Sequence, residues 1–179
     1  MQTLITEEQL RQGIERLAGE IRQHYQQRPL TIIGVLIGSI VFLVDLIRRL
    51  DMPLRVDLVQ ARSYRSGSTK PGTLAINLDV LSSDVHGREV LLIDDIFDTG
   101  HTLSELLPQI DDLGATNVRS AVLLRKAGRC QVAMQPDFVA FDIPDAFVVG
   151  YGLDFRDMYR NLPYVARLEP AELGGEATH

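Results

Sequence analysis

Short apolar runs alternate along this chain with segments whose apolar residues recur at helical spacing. The run at residues 30–36 is rich in β-branched residues, and it follows a segment in which Leu10, Ile14 and Leu17 are three or four residues apart. Helices are predicted at residues 6–27, 41–50 and 102–113. Strands are predicted at residues 30–36, 54–61, 74–80, 90–93, 118–124, 138–141 and 147–151. This alternation predicts an α/β fold with a mostly parallel twisted sheet flanked by helices.

A sheet of this kind places its ligand in a predictable region. The continuous apolar runs at residues 30–36 and 90–93 are typical of strands that are buried on both faces. Ligands of open α/β sheets bind beyond the carboxyl ends of the strands. A ligand site is therefore expected at the turns that follow four positions: Leu36, Ile93, Leu124 and Gly152.

The composition narrows the partners and the compartment. At 179 residues the chain fits a single domain, residues 1–179, with residues 174–179 as a loose tail. The net charge of -6 provides no overall attraction for nucleic acid, and no apolar run approaches the length of a membrane span. The first residues lack a basic, apolar leader, and Cys130 is the only cysteine, so we expect a cytoplasmic protein.

The stretch VLLIDDIFDTGHTL at residues 90–103 combines groups that can handle a phosphorylated sugar. A buried strand leads into an acidic turn, where Asp94 and Asp95 could hold ribose hydroxyls or a hydrated Mg2+. Asp98 is placed to exchange a proton with a group bound above the phosphate. The start of the following helix offers backbone N–H groups to an anion. The residues of this phosphate cradle are Thr99, Gly100, His101 and Thr102.

This stretch resembles the phosphoribosyl pyrophosphate motif of the type I phosphoribosyltransferases, in which a hydrophobic strand precedes two acidic residues, two variable positions and Asp-Thr/Ser-Gly-x-Thr. A Walker-type nucleotide loop is absent from the sequence. Residues 138–163 resemble the purine-binding segment of the hypoxanthine-guanine phosphoribosyltransferases, and LIGS at residues 36–39 and LLRK at residues 123–126 fall in the family's order. The resemblance implies the type I phosphoribosyltransferase fold, with a small hood built from terminal segments.

An activity in purine salvage follows from the resemblance. It implies transfer of the 5-phosphoribosyl group from phosphoribosyl pyrophosphate to hypoxanthine or guanine, giving IMP or GMP and pyrophosphate, with Mg2+ as the helper ion. Asp98 would be the acid/base that faces the imidazole nitrogen of the purine. Asp94, Asp95 and Asp154 would bind the metal. The residues implied to contact phosphoribosyl pyrophosphate are Leu36, Ile37, Gly38, Asp94, Asp95, Thr99, Gly100, His101, Thr102 and Arg160.

The base and the lid are implied in the same way. Lys126 would hydrogen-bond the 6-oxo group of the purine, and Phe147 would stack on its ring. Val148 would meet the edge of the base through its backbone, and Asp154 would also belong to the purine-binding residues. A lid loop that closes over the reacting centre would include two further residues, Ser63 and Tyr64.

The turn at residues 36–39 departs from the family pattern at one position. Ile37 stands where the family usually has a lysine, so a positive side chain near the pyrophosphate or the subunit interface is missing. The backbone N–H groups of Ile37 and Gly38 could still bind the ligand. The Leu36–Ile37 peptide is predicted to be cis, or to become cis when pyrophosphate binds.

Two alternatives stay open at this point. The first is a regulator that keeps the fold but senses nucleotides or binds RNA, and the presence of Lys126, Phe147 and Asp154 in an acidic chain favours the enzyme over it. The second is a transferase that prefers xanthine or guanine, because the sequence does not rank the 6-oxopurines. A homodimer or homotetramer is the expected assembly.

Overall fold

The computed structural model of the chain describes residues 1–60, 62–63, 74–75 and 85–174. Its helices are α1 (Glu7–Tyr25), α2 (Ile40–Ile47), α3 (His101–Asp111) and α4 (Pro170–Leu173). Its strands are β1 (Gln2–Ile5), β2 (Leu30–Leu36), β3 (Leu54–Gln60), β4 (Arg62–Ser63), β5 (Leu74–Ala75), β6 (Glu89–Phe97), β7 (Asn117–Lys126), β8 (Phe138–Ile143), β9 (Val148–Val149) and β10 (Val165–Arg167).

The main sheet has five parallel strands in the order β3-β2-β6-β7-β8. Parallel neighbours need a crossover connection, and helices on the sheet faces provide it. The predicted α/β class and the mostly parallel sheet are therefore confirmed. Because β2, β6 and β7 are adjacent and parallel, the turns that follow them lie side by side at one edge of the sheet.

The two faces of this sheet bury separate apolar cores. Successive residues of a strand point to opposite faces, and β6 shows the consequence. Leu91 and Ile93 pack in the core that includes α1 and α2, whereas Leu92 packs in the core that includes α3. All three side chains are fully buried. Burial on both faces explains why the central strands are continuously apolar instead of alternating.

Helix α1 forms because its apolar residues share one face and its first turn is capped. The Thr6 side chain accepts a hydrogen bond from the Gln9 N–H at 3.2 Å, and the Gln9 side chain accepts one from the Thr6 N–H at 2.8 Å. This reciprocal pair satisfies two donors that the helix itself cannot pair. Gln26 ends the helix in the left-handed conformation, with φ of 47°. The helix predicted at residues 6–27 is thus confirmed with slightly shorter bounds.

Residues from both ends of the chain build a second, smaller sheet. β1 pairs antiparallel with β10, and β10 pairs antiparallel with β9. This three-stranded sheet matches the small hood predicted from terminal segments. Among the described residues, no helix combines the length and the apolar character that crossing a membrane would need.

Two strands differ from their predictions. β6 continues to Phe97, so Asp94 and Asp95 lie inside a strand and not in an acidic turn. The ladder to β7 continues past them, and pairing with this neighbour outweighs the low strand propensity of aspartate. The strand predicted at residues 147–151 is reduced to the short β9, which belongs to the hood.

Other differences lie at element ends and chain termini. β1, β10 and α4 were not predicted, because segments of three or four residues carry no usable periodicity. The helix predicted at residues 102–113 ends at the C-cap residue Asp112, and Gly114 follows in the left-handed region, with φ of 83°. Residues 76–80 of a predicted strand and residues 175–179 of the predicted tail lie outside the described residues.

Candidate active site

The turn after β2 is held between two other segments of the site. A Cβ atom on Gly38 would lie 1.6 Å from Asp95 Oδ2, so only glycine allows the carboxylate this close to the turn. A Cβ atom on Gly152 would lie 2.2 Å from the Gly38 carbonyl oxygen. The buried Ser39 hydroxyl donates to the Val35 carbonyl at 2.5 Å and closes the turn. Residues that lie far apart in sequence are thus brought together at this turn.

The peptide bond between Leu36 and Ile37 is cis, which confirms that prediction. The Ile37 side chain is 49% exposed, so the residue that replaces the family lysine faces outward from the turn.

Asp94 and Asp95 form an acidic pair near the end of β6. Asp94 is buried, with 6% of its surface exposed, and its Oδ1 accepts a hydrogen bond from the Asp95 N–H at 3.0 Å. Burial raises the pKa of Asp94 well above its ordinary value, and the charge of Asp95 raises it further. Burial also raises the pKa of Asp95. A pair that resists ionisation in this way would be stabilised by a cation.

The donor set of this pair fits a hydrated Mg2+. Carboxylate oxygens are the protein ligands that Mg2+ prefers, and this ion usually keeps several waters and adds substrate phosphates. Within residues 1–60 and 85–174, no group of three or more His, Cys, Asp or Glu side chains is arranged to enclose a metal ion. The arrangement therefore suits an ion that is shared with a bound polyphosphate better than a permanent metal centre.

The phosphate cradle is an open helix start. Gly100 precedes α3 in the left-handed conformation, with φ of 88°, where a side chain would be strained. The first N–H groups of a helix have no carbonyl partner within the helix. Those of His101 and Thr102 therefore point out of the start of α3, beside Thr99, and such N–H groups are able to bind an anion. The His101 side chain is exposed.

Asp98 and Lys126 meet at the end of the neighbouring strands. Lys126 Nζ lies 2.9 Å from Asp98 Oδ2, and the Lys126 side chain is only 10% exposed. Arg129 Nε donates to the other carboxylate oxygen, Asp98 Oδ1, at 3.0 Å. Partial burial acts to raise the pKa of Asp98, but the hydrogen bonds from the two cations outweigh burial and hold this pKa below its ordinary value.

Residues on both sides of β9 contribute a second cluster. Arg160 donates to the Gly152 carbonyl at 2.8 Å and forms an ion pair with Asp154 at 2.8 Å. Phe147 is 42% exposed and meets Phe155 edge to face, with ring centroids 5.3 Å apart. An exposed aromatic ring that is braced by another ring can accept a flat ligand on its free surface.

The remaining predicted residues differ in how far the structure describes them. Val148 is buried and lies in β9, which pairs with β10 in the hood. Of the predicted lid, Ser63 is described only by its backbone pairing with Leu74, and Tyr64 lies outside the described residues. The lid therefore stays a prediction.

Sequence reasoning missed Arg129 and Gln131. Both belong to the loop after β7, which shows no apolar periodicity. The nearest available signal was Gly128, whose φ of 73° turns the chain two residues after the predicted base-binding lysine. A turn at that place sends the following residues back over the same edge of the sheet.

Comparison with known proteins agrees with this geometry. A model of the phosphoribosyl transferase domain matches residues 2–156 of the chain. The hypoxanthine-guanine phosphoribosyltransferase of Staphylococcus aureus (strain Mu50) is 37% identical over 94% of this chain and 94% of its own length. The bifunctional protein TilS/HprT of Listeria innocua is 41% identical over 93% of this chain, which spans only 26% of that longer protein.

Solved structures give the same result. A mutant hypoxanthine phosphoribosyltransferase from Trypanosoma cruzi, in a ternary complex with substrates, is 35% identical and superposes with a TM-score of 0.88 over 96% of both chains. A hypoxanthine-guanine phosphoribosyltransferase from Bacillus anthracis is 34% identical, with a TM-score of 0.83 over 94% of this chain and 99% of its own.

Proposed function

The chain belongs to the phosphoribosyltransferase family, and within it to the hypoxanthine-guanine phosphoribosyltransferases; we propose that it transfers the 5-phosphoribosyl group of phosphoribosyl pyrophosphate to hypoxanthine or guanine. The products are IMP or GMP and pyrophosphate. The function is purine salvage, because a free base is returned to the nucleotide pool.

The observation that carries this proposal is the contact between Asp98 and Lys126. A carboxylate oxygen and an ammonium nitrogen lie 2.9 Å apart at the carboxyl ends of β6 and β7. N7 and the 6-oxo group of an oxopurine lie next to each other on one edge of the base. The carboxylate can accept the N7–H and the ammonium can donate to the 6-oxo oxygen. Adenine would instead present its 6-amino group to a donor.

Phe147 and Val148 complete the base site in this proposal. The exposed ring of Phe147 would stack on the purine, since its edge-to-face contact with Phe155 holds the ring in place. The backbone of Val148 and the region of Asp154 would meet the edge of the base that carries the 2-amino group of guanine.

The phosphate groups occupy the other half of the site. The start of α3, from Thr99 to Thr102, would bind the 5′-phosphate through backbone N–H groups and hydroxyls. The Leu36–Gly38 turn would offer its N–H groups to the pyrophosphate. Arg160 would leave its ion pair with Asp154 and bind the pyrophosphate, for which a planar guanidinium is suited.

Mg2+ is part of the proposal. Asp94, Asp95 and Asp154 would hold it, partly through water. When bound, the ion neutralises charge on the departing pyrophosphate. Excess chelator should therefore abolish turnover, and undiminished activity would contradict the metal assignment.

The chemical step follows from these placements. N9 of the base forms a bond to C1′ of the ribose while the bond from C1′ to the pyrophosphate oxygen breaks. The proton on N7 passes to Asp98 as N9 attacks. Ser63 and Tyr64, on the proposed lid, would keep water away from the positively charged sugar carbon, which would otherwise be hydrolysed.

The test is an activity screen of the purified protein. Hypoxanthine, guanine, xanthine and adenine are each supplied with phosphoribosyl pyrophosphate and Mg2+, and nucleotide products are separated and measured. We expect IMP and GMP to form and adenine to be rejected by several orders of magnitude, because the site leaves polar groups unpaired against it. Absence of product with both oxopurines would refute the proposal. Binding of phosphoribosyl pyrophosphate without turnover would support the regulator instead.

We also propose a homo-oligomer in the cytoplasm. Aliphatic side chains on α2 and β3 are exposed, with Val44 at 45% and Leu58 at 48%. The side chains of Leu58 and of Leu43 in α2 both lie close to the place that a Cβ atom on Gly34 would occupy. These two side chains therefore lie on the same face of the sheet. A second copy of the chain would cover this face, and light scattering on Val44→Glu beside the native protein measures whether it does.

A further inference from the structure

The loop that follows β7, residues 128–132, returns along the phosphate cradle. Gln131 donates its N–H to the Thr99 carbonyl at 2.9 Å. The Gln131 side chain oxygen lies 3.2 Å from His101 Nε2. A Cβ atom on Gly100 would lie only 2.4 Å from Cγ2 of Val132, so the Val132 side chain packs directly against this glycine. The 128–132 loop is therefore fastened to the cradle by backbone, polar and apolar contacts together.

Arg129 extends this contact to Asp98. The carboxylate is held from two sides, with Lys126 Nζ on Oδ2 at 2.9 Å and Arg129 Nε on Oδ1 at 3.0 Å. Arg129 is itself oriented by Asp145, whose carboxylate lies 3.6 Å from its guanidinium. Asp145 lies 3.9 Å from Lys126 as well, so it faces both cations.

Lys126 and Arg129 would respond differently to a bound purine. Lys126 is the donor for the 6-oxo group, and an ammonium group that turns to the base releases Oδ2 of Asp98. Oδ2 is then free to accept the N7–H. Arg129 would form no hydrogen bond to the base. Gln131 anchors the 128–132 loop to the cradle, and this loop carries Arg129. Oδ1 therefore stays occupied when Oδ2 becomes available.

Building on the proposed function, we propose that Arg129 is a positioning residue that holds Oδ1 of Asp98, so that Oδ2 faces N7 of the purine after Lys126 has moved to the 6-oxo group. A guanidinium suits this task because its planar donor group fixes the orientation of a carboxylate, whereas an ammonium is a rotating point charge. Arg129 would contact neither substrate and would act only through Asp98.

The fold should tolerate its removal. The Arg129 side chain is 45% exposed, and ion pairs at this exposure contribute little to stability. The chain offers a matched control in Arg125, which lies near the end of β7 and forms a surface ion pair with Asp142 at 2.6 Å. Arg129→Met and Arg125→Met remove the same group from neighbouring positions, but only the first touches Asp98.

Kinetics with hypoxanthine test the proposal. Arg129→Met should lower kcat by about tenfold to a hundredfold, the cost expected for a misplaced catalytic group, with little change in KM for phosphoribosyl pyrophosphate. Arg129→Lys should restore part of the loss, and Arg125→Met should behave as the native enzyme. An Arg129→Met enzyme with the native kcat would overturn the proposal, as would a loss that appears only in KM.

A second measurement does not depend on turnover. NMR titration of the Asp98 carboxyl carbon in the free protein should show a higher pKa in Arg129→Met than in the native protein, because one of its two cationic partners is gone. An unchanged titration would show that Arg129 does not hold Asp98, and would also overturn the proposal. A native protein that makes no nucleotide would instead refute the proposed function, while the titration would still report on the Arg129 contact.

Discussion

The carboxylates at the end of β6 lie in two different environments. Asp94 is buried beside Asp95, and burial together with the like charge raises its pKa. Asp98, only a few residues later, has 32% of its side chain exposed and lies between Lys126 and Arg129. Those two cations keep the pKa of Asp98 low despite partial burial. One region resists ionisation, and the other is held ionised.

This difference matches the tasks proposed for the two regions. A carboxylate pair with raised pKa values binds a divalent cation favourably, because the cation offsets both the burial and the mutual repulsion. A proton acceptor must instead be ionised before the base arrives, and Asp98 reaches that state with cations of the protein itself. A single strand end can thus serve metal binding and proton transfer, because burial raises the pKa values of Asp94 and Asp95 whereas Lys126 and Arg129 hold down the pKa of Asp98.

The largest effect should follow from removing the proton acceptor. Asp98→Asn keeps the shape of the side chain but cannot take the N7 proton, so kcat should fall by roughly 10²–10⁴-fold. Affinity for phosphoribosyl pyrophosphate should change little, since Asp98 faces the base. The measurement compares kcat with the dissociation constant of the sugar substrate, and Asp142→Asn serves as the surface control. An unchanged kcat would remove Asp98 from the mechanism.

A smaller effect is expected from Lys126. Lys126→Met removes a charged hydrogen bond to the 6-oxo group, worth about 1.5–3 kcal/mol, which corresponds to roughly 10–10²-fold in kcat/KM for hypoxanthine. Rejection of adenine should weaken, because the opposing donor is gone. Steady-state kinetics with both bases measure this, with Arg125→Met as the control. If the native enzyme used adenine as well as hypoxanthine, Lys126 would not be the residue that selects the 6-oxo group of the base.

Much of this site was predictable from residues that lie close in sequence. The run from Asp94 to Thr102 covers the end of one strand and the start of one helix, so its order along the chain is nearly its order in space. The end of β6 was misjudged because the prediction considered aspartate alone, whereas the adjacent β7 extends the pairing. Local propensity yields to a neighbouring strand in such cases.

Contacts between distant segments were predictable only in part. Asp98 and Lys126 are 28 residues apart, and family resemblance rather than periodicity predicted that they share a ligand. The contact from Arg129 to Asp98 was not predicted at all. It depends on a loop that returns across the sheet edge, and no apolar pattern in that loop reports its direction. The approach of Gly152 to Gly38 was missed for the same reason.

The smallest predicted effect concerns stability and the acidic pair. In Asp94→Asn a neutral amide replaces a buried carboxyl of the same size, so the like-charge repulsion with Asp95 disappears. We expect the metal-free protein to gain about 0.5–2 kcal/mol in the free energy of unfolding at neutral pH, a typical gain when a strained functional group is removed. Binding of phosphoribosyl pyrophosphate with Mg2+ should weaken in the same variant.

The pH dependence of this gain distinguishes charge repulsion from better packing. The pKa of Asp94 is raised in the folded protein, so the carboxyl holds its proton more tightly there than in the unfolded chain. Its stabilising contribution is complete below the unfolded pKa and is lost as the pH rises through the folded pKa. The advantage of Asp94→Asn over the native protein should therefore be large at neutral pH and shrink in acid. Urea unfolding of both proteins without Mg2+, at several pH values and beside the exposed control Asp51→Asn, measures the difference. A variant less stable than the native protein at neutral pH would mean that the free protein already stabilises the Asp94 carboxylate, and the contrast with Asp98 would then be wrong.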